Sequence, residues 1–427
     1  MTGEPPAGEL SPPDHLPAAD WLHAPATGAV VAALEAEGGA GVARYVGGSV
    51  RDTLLRLPAA LDPAAETSLD IDIATSLPPP RVLAALERAG LKAVPTGIAH
   101  GTVTAISRGR PYEITTLRRD VETDGRYAVV AFTDDWAQDA ARRDFRLNAL
   151  YAEPDGRLHD PTGGGIADAL AGRIVFVGDA ATRIAEDYLR ILRFFRFQAW
   201  YGRGEPDVAG LAACAALAEG IGGLSAERVA KELLKLLAAL DPLPALTAMA
   251  VTGVLARLPL QADLDRLAAL LRVERALDVQ ADPALRLAAL SSGDVSELAV
   301  RLRLSNSLRD RLAAADGALE GPAGMTQQLG RRRLYELGRV AFRDRLLLRL
   351  DADEAEAARP LLALAEAWTA PAFPLSGEEI KAAGVAQGPG IGRVRREVEA
   401  WWIASDFPQD RAALHAALRA AVGHRDP

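Results

Sequence analysis

Between residues 26 and 153 the spacing of apolar positions changes period several times. VVAALEAEG (30–38) repeats at helical spacing, and ARYVGGSV (43–50) is a short apolar run ending in two glycines, a strand entering a tight turn. VRDTLLRL (50–57) begins a helix, LDIDIAT (69–75) alternates as a strand does, and PPRVLAALERAG (79–90) is a helix opened by prolines. GTVTAISRGRPYEITTLR (101–118) reads as a hairpin with a Gly-Arg-Pro turn. These elements predict an α+β region with a small mixed sheet. After DPTGGGIADALAGRIVFVGD (160–179) strand signals almost vanish, and helical runs of Ala, Leu, Arg and Glu continue to the end. Breaks at 241–244, 320–327 and 369–379 punctuate them. Residues 1–25 are rich in Pro, Gly and acid without periodicity, which predicts a disordered segment.

Within the alternating strand, Asp70 and Asp72 share one face, while Ile71 and Ile73 point to the other. Two like charges at adjacent same-face positions repel unless a positive group lies between them. The pattern fits an exposed polar strand face, or a pair of carboxylates for a hard divalent cation such as Mg²⁺. Some twenty residues upstream, Gly47 and Gly48 follow a strand and precede a helix, where backbone N–H groups can approach a polyphosphate. Such a turn also arises for steric reasons alone. Arg51 falls in the first helical turn, and Glu113 offers a third acid on another strand. In-line displacement at a nucleoside triphosphate uses two metal ions roughly 3.5–4 Å apart, and this set of acids suits that chemistry.

Composition narrows the class. The 427 residues are 49% hydrophobic and 25% charged, enough for several domains. No apolar run reaches the ~18–20 residues of a membrane span, and the acidic, proline-rich start is unlike a secretory signal. The single cysteine, Cys214, excludes an intramolecular disulfide framework and fits a cytoplasmic location. A net charge of −9 does not exclude a nucleic-acid partner, because local clustering matters more than the balance. Only Lys92, Lys231, Lys235 and Lys381 are lysines, so nearly all positive charge is arginine, the side chain suited to forked phosphate and base contacts.

Five segments in order, YVGGSVRDTLL, LDIDIAT, ARRDFRLNALY, HDPTGGGIADAL and EDYLRILRFFRF, resemble the successive motifs of class II tRNA nucleotidyltransferases, the CCA-adding enzymes, and of the related bacterial poly(A) polymerases. The resemblance implies an α+β nucleotidyltransferase head of the polymerase-β type with a mixed sheet, followed by all-α neck, body and tail domains. The expected division is 1–25 disordered, 26–155 head, 156–240 neck, 241–368 body and 369–427 tail. It further implies addition of C, C and A to the 3′ end of tRNA from CTP and ATP, with two Mg²⁺ ions and release of pyrophosphate.

By the same resemblance, Asp70 and Asp72 are metal ligands, Gly48 and Arg51 contact the nucleotide's phosphates and sugar, and Arg142, Arg143 and Asp144 form the element that contacts ribose and triphosphate. Glu113 completes the metal shell or accepts the hydroxyl proton. Where the family usually has Thr-Ile after RRDF, this chain has Arg146 and Leu147, which leaves Arg146 unexplained. Asp187 and Arg190, three apart on a predicted helix, project from one face. The resemblance makes them a protein template: an accepting Asp and a donating Arg match the Watson–Crick edges of C and A and oppose those of U and G. A helix-surface ion pair is the alternative. Arg193 and Arg196 extend the row. Glu227 and Arg228 read as structural, and the C-terminal GPGIG with Arg393, Arg395 and Arg396 as either an RNA phosphate contact or a simple turn. A poly(A) polymerase, a partial CC- or A-adding enzyme, and a non-catalytic RNA-binding protein are the rival functions.

Overall fold

A computed structural model describes residues 12–56, 70–124, 127–385 and 388–423, without side chains for 120–130. Seven strands form one mixed sheet: β1 (Ala43–Val46), β2 (Asp72–Thr75), β3 (Lys92–Gly97), β4 (Thr102–Ser107), β5 (Arg110–Thr116), β8 (Tyr151–Ala152) and β9 (Leu158–His159). Their order is β3-β4-β5-β2-β1-β8-β9. Among the described strands only β2 and β5 run parallel, placing Asp72 opposite Glu113, while antiparallel β1 places Val46 opposite Asp72. β6 (Arg118–Asp124) and β7 (Tyr127–Phe132) form a separate two-stranded sheet.

Register decides which residues share a face. Ile73, Val103, Ala105, Tyr112 and Ile114 line the side on which the helices Pro25–Gly38 and Pro79–Arg88 pack against each other and the sheet, and all five are completely buried. Asp72, Glu113 and Val46 occupy the opposite side. Burying an isoleucine contributes roughly 1.5–3 kcal/mol, so reversing this strand's facing would be costly. The β4–β5 hairpin forms, but its turn is Arg108–Gly109, both at positive φ, and not the expected Gly-Arg-Pro: Arg110 and Pro111 are already paired in β5, because the two-residue turn sets Ser107 opposite Arg110.

Residues 12–24 correct the expected disorder, while residues 1–11 lie outside the described chain. The Leu16 N–H donates to the Gly156 carbonyl at 2.8 Å, and the Leu158 N–H donates to that of Asp14 at 2.8 Å. Trp21 is buried edge-on against Tyr45 and donates its indole N–H to Thr53 Oγ1 at 2.9 Å. Two apolar anchors, Leu16 and Trp21, therefore hold a proline-rich segment that composition alone marks as unfolded.

The chain divides into two compact units, residues up to 264 with 300–303, and residues 265–299 with 304–427. The expected boundaries at 155 and 240 both fall inside the first unit. In the second, Arg286 and Glu274, each 3% exposed, pair at 2.7 Å, and Arg311 bridges Asp282 and Asp344. Trp402, Val394, Val398, Leu414 and Leu418 form its C-terminal core. Among the described residues no helix is long and apolar enough to cross a membrane.

Candidate active site

β1 leaves the sheet through Gly47 at φ 75°, and the helix Gly48–Leu54 begins at the next residue. A side chain at Gly47 would be strained by that φ, and its Cβ would lie 3.5 Å from Asp72 Oδ2. The glycine thus brings backbone close to the carboxylate. Asp70, just before β2, is exposed, and Glu113 is exposed beside Asp72. Burial pushes the Asp72 carboxyl up to about 7, the charges of Glu113 and Asp70 add to the effect, and Arg143 partly opposes it. The centre is therefore short of positive charge.

That shortage is the chemistry a divalent cation satisfies, and carboxylate oxygens are its preferred donors. Asp70 and Asp72 fit as ligands. Among the described residues no group of three or more His, Cys, Asp or Glu side chains is gathered tightly enough to hold a metal by itself. Mg²⁺ ordinarily takes one or two carboxylates and completes its shell with water and substrate phosphate, so two aspartates are an adequate protein contribution.

Beneath this face, the helix Trp136–Ala141 supplies buried Asp139, and Arg142, Arg143 and Asp144 follow directly. Arg143 Nη2 donates to Asp139 Oδ2 at 3.1 Å, its Nε to the Tyr151 hydroxyl at 3.3 Å, and its Nη1 to the Asn148 carbonyl at 3.4 Å. Asp144 is bound by Arg193, whose Nε donates to Oδ2 at 2.7 Å, and by Asn148 Nδ2 at 3.0 Å. Burial would raise the Asp144 carboxyl, but Arg193 and these hydrogen bonds outweigh it and hold the group at about 2. Asn148 Oδ1 also accepts from Arg51 Nη1 at 2.7 Å.

Arg51 is buried, with Nε on Asp52 at 2.7 Å, Nη2 on the Tyr201 hydroxyl at 2.6 Å, and its guanidinium over the Tyr201 ring. The structure thus engages three of its nitrogens inside the protein behind the glycine turn, where sequence suggested a phosphate and sugar contact. Arg146 acquires a place: it pairs with Asp168 at 3.5 Å and lies against Gly164, where an added Cβ would be 2.9 Å from its Nη1.

The helix expected through EDYLR is interrupted. One helix ends at Glu186 and the next begins at Leu189, with Asp187 extended at φ −157° between them. Asp187 caps the second helix, its Oδ1 accepting from the Leu189 N–H at 3.1 Å, a role Asp commonly takes. Its Oδ2 accepts from Arg228 Nη2 at 2.6 Å. Arg190 instead donates to Glu186 Oε2 at 2.5 Å and to the Arg183 carbonyl at 2.7 Å. The side chains of Asp187 and Arg190 are therefore not paired with each other, although the Arg190 N–H donates to the Asp187 carbonyl at 2.9 Å. Arg193 joins Asp144, and Arg196 joins Glu232 at 2.6 Å.

The sequence assigns no role to Asp139, Asn148, Tyr201 or Glu186, and marks Arg228 as structural only. Asp139 was legible, since it stands three and four residues before Arg142 and Arg143 at helical spacing. Arg228 is 41 residues from Asp187, and no local signal joins them.

Comparison with known proteins yields concordant matches. The poly(A) polymerase head domain matches residues 43–175, and a segment described as the probable RNA and SrmB-binding site of polymerase A matches 207–264. The mitochondrial CCA tRNA nucleotidyltransferase 1 of Homo sapiens is 33% identical over 393 residues, spanning 87% of this chain and 85% of its own. The CCA-adding enzyme of Levilactobacillus brevis is 31% identical over 398 residues, spanning 88% and 93%. Among solved structures, the Bacillus stearothermophilus CCA-adding enzyme in complex with CTP superposes with a TM-score of 0.73 at 25% identity, covering 94% of this chain and all 100% of that one. The Thermotoga maritima CCA-adding enzyme complexed with tRNA shares the fold, with a TM-score of 0.61 at 20% identity over 88% and 91% of the two chains.

Proposed function

This chain belongs to the family of CCA-adding enzymes, the CCA tRNA nucleotidyltransferases, and on that premise we propose that its chemistry is centred on Asp70, Asp72 and Glu113. The chain adds C, C and A to the 3′ end of tRNA from CTP and ATP. The observation that carries the site assignment is the half-buried Asp72, raised to about 7 between two further acids and above Arg143. Like charges in a partly dry site oppose folding, and a bound cation would offset that cost.

In each cycle the terminal 3′-hydroxyl oxygen of tRNA bonds to the α-phosphorus of the incoming nucleotide. The bond from that phosphorus to the bridging oxygen breaks, and pyrophosphate leaves with the electron pair. Asp70 and Asp72 are the residues that would hold Mg²⁺, two ions in this reading, and the metal would supply acidity to the hydroxyl and offset charge on the pyrophosphate. Glu113, exposed next to Asp72, completes that shell or receives the hydroxyl proton. The amides of the Gly47–Gly48 turn approach the triphosphate, and the N–H groups of Arg143 left free by its internal bonds contact ribose and phosphate. Arg51 and Arg193 act from behind, holding the turn and Asp144 in place for the nucleotide.

Asp187 and Arg190 choose the base. Cytosine and adenine each present an amino donor beside a ring-nitrogen acceptor, complementary to a carboxylate beside a guanidinium. Helices beyond residue 241, including the tail with Arg393, Arg395 and Arg396, bind the tRNA body through phosphates. The decisive experiment is incorporation of each NTP, singly and together, on tRNA ending before, within and after CCA. CC from CTP alone, then one A and no more, is the expected product. A long A tail, or arrest after CC with both nucleotides present, would replace this reading with that of a poly(A) polymerase or a partial enzyme.

A further inference from the structure

We propose that Asp139 is the positioning residue for the nucleotide-binding arginine, fixing Arg143 with one oxygen while its other oxygen holds Arg142 separately. The proposal rests on the role assigned to Arg143 above. Asp139 is 1% exposed and distributes its two oxygens without overlap. Oδ1 accepts from Arg142 Nε at 2.9 Å and Nη2 at 2.7 Å, and from the Arg118 backbone N–H at 3.3 Å. Oδ2 accepts from Arg143 Nη2 at 3.1 Å and from the Tyr151 hydroxyl at 2.7 Å.

Tyr151 closes the arrangement. Its hydroxyl donates to Asp139 and accepts from Arg143 Nε at 3.3 Å, so carboxylate and phenol grip one edge of the guanidinium together. With Nη1 on the Asn148 carbonyl, three of the five N–H groups are committed and two remain for a ligand. An arginine on a flexible stem would otherwise lose rotamer freedom on binding nucleotide, whereas this one is ordered beforehand. The arrangement also separates the neighbours: Arg142 is held in a fork on the far oxygen, with Nε additionally on the Arg118 carbonyl at 3.1 Å, while the Arg143 charge acts on Asp72.

The test is a two-residue cycle in the full chain, with Asp139→Asn, Arg143→Ala and the double variant, measuring KM for CTP and ATP, kcat, and tRNA affinity. Asp139→Asn should raise KM for both nucleotides about tenfold or more, in the range for supporting residues around a binding group. Affinity for tRNA should stay at the parental value. The double variant should be no worse than Arg143→Ala alone. Tyr151→Phe, which keeps the buried ring, should raise KM in the same direction by less, and it serves if Asp139→Asn fails to fold. Parental KM in Asp139→Asn, or in Tyr151→Phe where that is the only folded variant, overturns the proposal. So does a double variant that multiplies the two single effects, or a loss of tRNA affinity in step with KM. If instead Arg143→Ala alone keeps the parental KM, the assignment of Arg143 to the nucleotide fails first, and the two failures are distinguishable.

Discussion

Arg228 Nη2 donates to Asp187 Oδ2 at 2.6 Å, across 41 residues of chain, while Arg190, only three residues from Asp187, is held by Glu186. The side chain of each half of the proposed base template is thereby fixed by a different partner, and neither side chain is fixed by the other's. A direct Asp187–Arg190 ion pair would occupy the groups that must face a base. The observed partners leave the Asp187 carboxylate oriented by two donors, with lone pairs to spare.

Removal of either template residue should therefore alter choice as well as rate. Sites built on hydrogen bonds discriminate by ~10⁴ or more against a partner that leaves them unpaired. Asp187→Ala deletes the acceptor that C and A share and the repulsion that excludes U and G, so UMP and GMP incorporation should rise relative to CMP. Arg190→Ala should weaken selection of C and A likewise. Single-nucleotide incorporation with all four NTPs on tRNA lacking CCA checks this, and equal loss for all four with preference retained would place the template elsewhere.

Asp72 should make stability depend on pH and on metal. Its folded value of about 7 lies above the ordinary 3.8, so the protonated form stabilises the fold; that contribution is full below about 4 and lost as pH rises through 7. With chelator present, Asp72→Asn should melt above the parent, by a margin that grows from pH 5 to pH 8. Added Mg²⁺ with CTP should raise the melting temperature of the parent and not of the variant, while nucleotide transfer by the variant nearly vanishes. A pH-independent margin in thermal melts would contradict the assigned environment.

The opposite sign holds for Asp144, lowered to about 2 against 3.8 in the unfolded chain. Its contribution is present above about 4 and disappears as pH falls through 2. Arg193→Ala leaves that carboxylate partly buried without its main partner and should cost on the order of 3 kcal/mol at pH 7 in denaturant titrations. The gap between parent and variant should narrow in acid. An unchanged midpoint at pH 7 would mean that solvent replaces Arg193 at no cost.

Affinity for tRNA should fall steeply with salt despite the net charge of −9, because displaced counterions and not overall balance set the dependence. Replacing Arg393, Arg395 and Arg396 singly by alanine should each lower the log–log salt slope by about 1 if that side chain meets a phosphate. Filter binding from low to moderate salt measures it, and three unchanged slopes would remove the tail arginines from the interface.

Local pattern by itself determined the alternation of helix and strand through the head, the placing of Ile71 and Ile73 inward, the β4–β5 hairpin, and the helical remainder. Each follows from a period of two or 3.6 residues, a turn residue or a proline, which act over a few positions. The ordered motifs made the acids, the glycine turn and the RRD element legible as one site. Only the tertiary structure decided how those groups are held. The parallel pairing of β2 with β5 sets Glu113 beside Asp72 across 41 positions; Arg51 turns inward to Asn148 and Tyr201; Asp187 leaves the helix to cap the next one and meet Arg228; and Leu16 and Trp21 anchor a segment whose composition reads as unfolded. Hydrogen-bond partners and burial depend on what the fold brings near, and a charged side chain carries no local mark of which distant group will pair with it.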